Sequence, residues 1–147
     1  MLSLICTKGG ELHNMNWMAI IVAAVINMVL GFLWYGPLFG KAWQKLIGLT
    51  DSRLEEMKKK GMTQTYVFTM VGAVAMAFVL NQIVTSTGTM DLMSGVMLGF
   101  WAWLGFVAPV QLSQVLYEQK SWNLYFINTG YYLVALVLMG GLLASWV

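Results

Sequence analysis

A chain of 147 residues that is 59% hydrophobic and only 10% charged is not an ordinary soluble domain, whose charged share is roughly 25%. Its formal net charge of +2, with the positive residues gathered mainly in one stretch between apolar runs, excludes the broad basic face of a nucleic-acid binder. A single cysteine, Cys6, excludes an intrachain disulfide, and a single histidine, His13, gives no metal-ligand spacing, so no metal or other cofactor is expected.

Met1 to Asn14 carries no periodic apolar face, and Thr7-Lys8-Gly9-Gly10 reads as loop. Met15-Asn16-Trp17 makes a natural start, so residues 1–14 read as a short exposed tail or an upstream-start extension. Span one follows, over about 17–34. It leads into Trp34-Tyr35-Gly36-Pro37-Leu38-Phe39-Gly40-Lys41-Ala42-Trp43. Trp and Tyr favour the headgroup level of a bilayer, and Pro37 cannot continue a helix without losing a backbone hydrogen bond. The span is therefore expected to end here, with Trp34, Tyr35, Pro37 and Trp43 as interfacial anchors.

The connection over 40–62 is polar but structured. In Lys41-Ala42-Trp43-Gln44-Lys45-Leu46-Ile47 the apolar residues recur at helical spacing, which predicts a short amphipathic helix lying in the interface. A second helix follows, with Ser52 and Glu55 spaced as a capping box and Gly61 placed to end it. Its lysines suit anionic lipid, although a solvated topology signal is the plainer reading.

Three further apolar runs predict span two at about 63–84, span three at about 92–116 and span four at about 124–146. Each is long enough for a hydrocarbon core of about 30 Å. Pro109 predicts a tilt or kink in span three. The fold class expected is all-α, an integral membrane four-helix transmembrane bundle with an interfacial helix after span one. Lys41, Lys45, Arg53, Lys58, Lys59, Lys60 and Lys120 fall on one side of such a bundle and only Lys8 on the other. Positive residues are retained in the cytoplasm, so a multi-pass cell-membrane protein with both termini outside is expected.

These residues resemble a known family, the membrane proteins grouped as domain of unknown function 1761. The likeness rests on Asn16-Trp17, on Gly31-x-x-Trp34-Tyr35-Gly36-Pro37-Leu38-Phe39-Gly40-Lys41-Ala42-Trp43, on Leu116-Tyr117-Glu118-Gln119-Lys120-Ser121-Trp122, and on Ile127-Asn128-x-Gly130-Tyr131-Tyr132. It covers the chain from about residue 15 onward. The resemblance implies a small multi-span membrane protein of unassigned activity and supplies no catalytic residue, substrate or cofactor.

No Asp, Glu, Lys, Arg or His lies inside any span, which disfavours a proton- or ion-coupled transporter. No base lies at membrane depth to activate a serine, so an enzyme is not expected. Met90, Met93 and Met97 share a face on span three, but without Cys or His beside them they read as apolar filler rather than a copper site. What remains is polar but uncharged. Asn27, Thr69, Gln111 and Asn128 each fall about 9–10 Å from the same boundary, one per span. Gln111, Gln114 and Glu118 share a face of span three, and Tyr125, Asn128 and Tyr132 share a face of span four. An unsatisfied amide in hydrocarbon is costly, so these faces are expected to meet. They form either interhelical glue or a polar pocket for a small solute or headgroup.

Ala73, Ala77, Asn81 and Thr85 form a small and polar stripe on span two, and Gly95 and Gly99 a small-xxx-small pair on span three. Either serves packing within the chain or a homo-oligomer. Two functional classes survive. One is a structural or accessory protein that packs as a homo-oligomer or with another membrane protein. The other is an oligomeric binding or transport module for a neutral or weakly polar small molecule at the amide layer. The first is favoured, because the polar groups are few enough to be consumed by helix packing. Membrane lipids are partners in both.

Overall fold

A computed structural model of the chain describes residues 16–146. The expectation for the tail at 1–14 lies outside those residues. Helix α1 (Trp17–Leu33) is capped by Asn16, whose side chain accepts from the Ala19 N–H at 3.2 Å. The Asn16 amide also donates to the Trp146 carbonyl at 3.2 Å, which ties the outermost turns of the first and last spans together.

Span one does not end at Trp34. It continues as a π-helical turn (Trp34–Leu38) that contains Pro37, and the Phe39 N–H reaches back to the Trp34 carbonyl at 2.9 Å. A proline leaves a carbonyl of the preceding turn without its donor, and a widened turn is one way a helix absorbs that change. The break comes instead at Phe39, after which α2 (Gly40–Leu46) runs as the expected short helix. Helix α3 (Asp51–Lys60) begins two residues earlier than the Ser52–Glu55 capping box requires. Its N-cap is Thr50, with no side-chain bond to the backbone; the Thr50 and Ser52 hydroxyls lie 3.2 Å apart. Gly61 ends it with a positive φ of 83°, a conformation other residues rarely adopt.

Span two is α4 (Thr63–Ser86). Span three is α5 (Leu92–Ala102), a second π-helical turn (Trp103–Val107) and α6 (Ala108–Leu116), so the irregularity expected at Pro109 is taken up just before it. Span four is α7 (Trp122–Ser145), capped by the Ser121 side chain. The four spans, Trp17–Leu38, Thr63–Ser86, Leu92–Leu116 and Trp122–Ser145, are all long and apolar enough to cross a membrane. The fold is an all-α four-helix transmembrane bundle, and the chain is a multi-pass membrane protein.

Helix α7 is the hub, packing against α1, α4 and α5. Alanines carry the contact of α1 with α4: Ala19, Ala23, Ala24, Ala73 and Ala77 are buried in one cluster with Leu80, Val84, Met139 and Leu143. Glycines carry the contact of α5 with α7. A side chain at Gly95 would collide with the Gly140 backbone and Ala144, and one at Gly99 with the Leu136 backbone. Both small-residue faces are therefore taken up inside the chain.

Helix α4 is supported over only part of its length. Its buried residues, Ala73, Ala77, Leu80, Asn81 and Val84, form one face. That face continues at helical spacing through Met70, Thr69 and Tyr66, all exposed, and every residue from 63 to 72 is exposed. So α4 parts from the bundle over the half nearest the lysine-rich connection.

Candidate binding site

The polar groups of spans one and four meet along the line where α1 crosses α7. The buried Tyr131 hydroxyl donates to the Asn27 Oδ1 at 2.8 Å and lies 3.3 Å from the Asn27 carbonyl. One turn further along α1, Gly31 makes the close approach possible: a Cβ there would stand 3.3 Å from that hydroxyl. At the following turn the Trp34 indole N–H donates to the Ile127 carbonyl at 2.9 Å, and the Tyr35 hydroxyl donates to the Asn128 Oδ1 at 3.1 Å. The rings pack in series, with centroids 5.3 Å apart for Tyr35 and Tyr131, 5.0 Å for Tyr131 and Tyr132, and 5.3 Å for Tyr35 and Trp43.

Span three reaches α7 from its other side by similar chemistry. The Trp103 indole N–H donates to the Thr129 carbonyl at 2.8 Å, and the Tyr125 hydroxyl to the Ala108 carbonyl at 3.3 Å. Trp34 and Trp103 each stand at the first residue of a π-helical turn, so two spans of like direction grip neighbouring carbonyls of α7 with matching indoles.

The hydrogen-bond balance of this group is lopsided. Each amide oxygen accepts from a phenol, yet among the described residues neither the Asn27 nor the Asn128 Nδ2 has an acceptor, and no partner meets the Tyr132 hydroxyl or the Gln111 amide. Asn27 is buried, whereas Asn128, Tyr132 and Gln111 are half-buried. The two asparagines are left with donors, and Tyr132 and Gln111 with groups that donate or accept.

The anticipated layer of amides from all four spans narrows to Asn27–Tyr131 and Asn128–Tyr35. Thr69 is exposed and turns its hydroxyl onto the Thr65 carbonyl of its own helix at 2.8 Å. Gln114 accepts from Lys120 at 3.5 Å and Glu118 pairs with Lys120 at 2.8 Å, both at the lysine-rich end. Tyr125 is bonded to span three rather than to Asn128. Trp34 and Tyr35, anticipated as headgroup anchors, are half-buried with their polar atoms bonded to α7. Trp43 lies against Tyr35, and Pro37 sits exposed inside the π turn. Asn81, anticipated on a packing stripe, is 2% exposed and its Nδ2 has no partner. Tyr131, Trp103 and Thr129 were not anticipated. For Tyr131 a signal existed, since Asn27 at membrane depth needs a donor and span four carries phenols there.

A family model described as "Protein of unknown function (DUF1761)" matches residues 18–144. No curated protein and no solved structure matches the chain.

Proposed function

The chain belongs to the DUF1761 family, and from that premise we propose that it is a non-catalytic binding module of the cell membrane, with both termini outside. Its ligand presents a neutral or weakly polar group to a cleft at the cytoplasmic half of the bundle. The observation that carries this reading is the parting of α4 from the bundle beside amides whose N–H donors are unpartnered. Tyr35 shares a row of α1 with Ala24 and Met28, which pack into the α1–α4 core, and Asn128 and Tyr132 share a row of α7 with Ala135 and Met139. Tyr66 and Thr69 continue the core row of α4. Those rows continue the core-facing sides of α1, α4 and α7 toward the exposed part of α4. Amides and phenols without a base beside them suit binding rather than nucleophilic chemistry. The orientation is supported by the seven-to-one division of Lys and Arg.

Native mass spectrometry of the full chain in mild detergent tests the reading. A retained molecule is expected on the wild type and missing from Asn128→Leu under conditions where that variant stays folded, its melting temperature lowered only by the lost Tyr35 bond. Equal retention by both proteins, or none by either, would count against it.

A second reading is an accessory protein that packs as a homo-oligomer or with another membrane protein. One observation favours it: span three packs chiefly on α7, is the least buried span and exposes Trp101, Leu104 and Phe106. Cysteines at those three positions crosslink between copies in native membranes if this face is an interface. The small-residue faces are not available for such a contact.

A further inference from the structure

We infer that the ligand of this cleft is an ester-linked anionic glycerophospholipid from the adjoining leaflet, an assignment that rests on the binding-module reading. The argument begins with which atoms are already committed. The Asn27 and Asn128 side-chain oxygens both receive phenol hydroxyls, at 2.8 and 3.1 Å, so neither asparagine beside the cleft offers an oxygen that lacks a protein donor. It has donors in the Asn128 Nδ2 and the Tyr132 hydroxyl. The complement of such a pair is an acceptor oxygen. No cation lies within the spans, and an anion at that depth without one is strongly disfavoured. The acceptor at depth is therefore a neutral carbonyl.

Positive charge stands instead at the mouth. Helix α2 packs on α7, and its Trp43 ring lies 5.3 Å from the ring of Tyr35, the residue that holds Asn128. Lys41 and Lys45, two residues either side of Trp43, share the exposed face of α2 turned away from that ring, toward the aqueous side of the mouth. Donors at depth, lysines at the mouth and an apolar side wall match a diacyl lipid: ester carbonyl on Asn128 and Tyr132, phosphate on Lys41 and Lys45, acyl chains along α4. The wall is open to the bilayer because residues 63–72 of α4 are exposed on every side. Lysines at such a surface attract anionic headgroups.

Three probes test this on the full chain in detergent, read by native mass spectrometry: dioleoylphosphatidylglycerol, its diether analogue without ester carbonyls, and glycerol phosphate. The diester is expected to bind about fivefold more tightly than the diether, the factor that one ordinary hydrogen bond supplies. Glycerol phosphate binds far more weakly than either lipid. Tyr132→Phe, which removes a single hydroxyl, and Asn128→Leu each shrink the ester preference. Lys41→Gln with Lys45→Gln weakens both lipids alike and leaves the preference intact. Equal binding of diester and diether by the wild type, or a preference that survives both cleft variants, overturns the assignment. If the lipids bind equally but another molecule is retained by the wild type and lost from Asn128→Leu, the binding module stands and the lipid falls. If nothing depends on Asn128, both fall.

Discussion

The Tyr131 hydroxyl of α7 lies between two oxygens of one residue on α1, 2.8 Å from the Asn27 side-chain Oδ1 and 3.3 Å from its main-chain carbonyl. One donor thus pins the rotamer of Asn27 and the height of α1 against α7 together. The contact forms because Gly31, one turn away, lacks the side chain that would crowd the phenol. With the Trp34 and Tyr35 bonds on the following turn, it makes the line between spans one and four the most densely hydrogen-bonded helix crossing of the described bundle.

Tyr131→Phe keeps the ring and removes only the donor. Unfolding in detergent is expected to show a loss of about 0.6–1.7 kcal/mol, the range of interhelical bonds within membranes. Asn27→Leu removes the nearer acceptor and leaves the hydroxyl only the main-chain carbonyl at 3.3 Å, so it costs no more than Tyr131→Phe. The double variant costs less than the sum, since both single changes remove the same bond. Additive single effects would show that the two residues do not share a bond. The same cycle on Gln111 and Asn128 is expected to be additive, because Asn128 is bonded to Tyr35.

Much of the fold was legible because each span is an apolar run of helical length and each connection is polar, and that pattern survives any detail of packing. The end of span one was misjudged at Pro37. A proline forbids one α-helical hydrogen bond, but it does not forbid a π turn, and only the partner helix that binds Trp34 favours that turn over a break. Thr69 shows the limit of a depth argument. It sits at the anticipated level, yet α4 has left the bundle there and the hydroxyl finds its own backbone. The roles of Tyr131 and Trp103 depend on which helices touch, which residue spacing along one helix does not contain.

Gly99 and Gly105 lie on the same span with opposite surroundings. A Cβ at Gly99 would meet the Leu136 backbone, whereas one at Gly105 meets nothing within 4 Å. Gly99→Ala is expected to push α5 off α7 at a cost of about 1–3 kcal/mol, as for other overpacked contacts. Gly105→Ala should leave the melting temperature within error. Equal effects at the two sites would contradict the close approach of α5 to α7.

Asp91 caps α5, and the Ser94 backbone N–H, 2.9 Å from its carboxylate, holds that carboxyl below the usual range. A lowered folded-state pKa means the cap stabilises above the unfolded value, about 3.9, and fades as pH falls through the folded one. In NMR titration the Ser94 amide signal is expected to move with a midpoint below about 3.9. Asp91→Asn keeps an acceptor and abolishes the titration. A midpoint at or above the unperturbed value would show that the cap is not formed.

Asn81 is the residue whose removal should help. It is 2% exposed among alanines and aliphatic side chains, and its Nδ2 has no hydrogen-bond partner. A buried donor without an acceptor forfeits about 1–3 kcal/mol of solvation, more than the side chain returns by filling space. Leucine has nearly the same volume and brings no such debt. Asn81→Leu is therefore expected to raise stability by about 1 kcal/mol in detergent, where Asn27→Leu lowers it. The contrast between two buried asparagines, Asn27 bonded through its Oδ1 and Asn81 with its Nδ2 buried and unpartnered, is the discriminating result. Destabilisation by Asn81→Leu would mean that a buried water or another polar group satisfies the amide, and crystallographic density beside Nδ2 would then identify it.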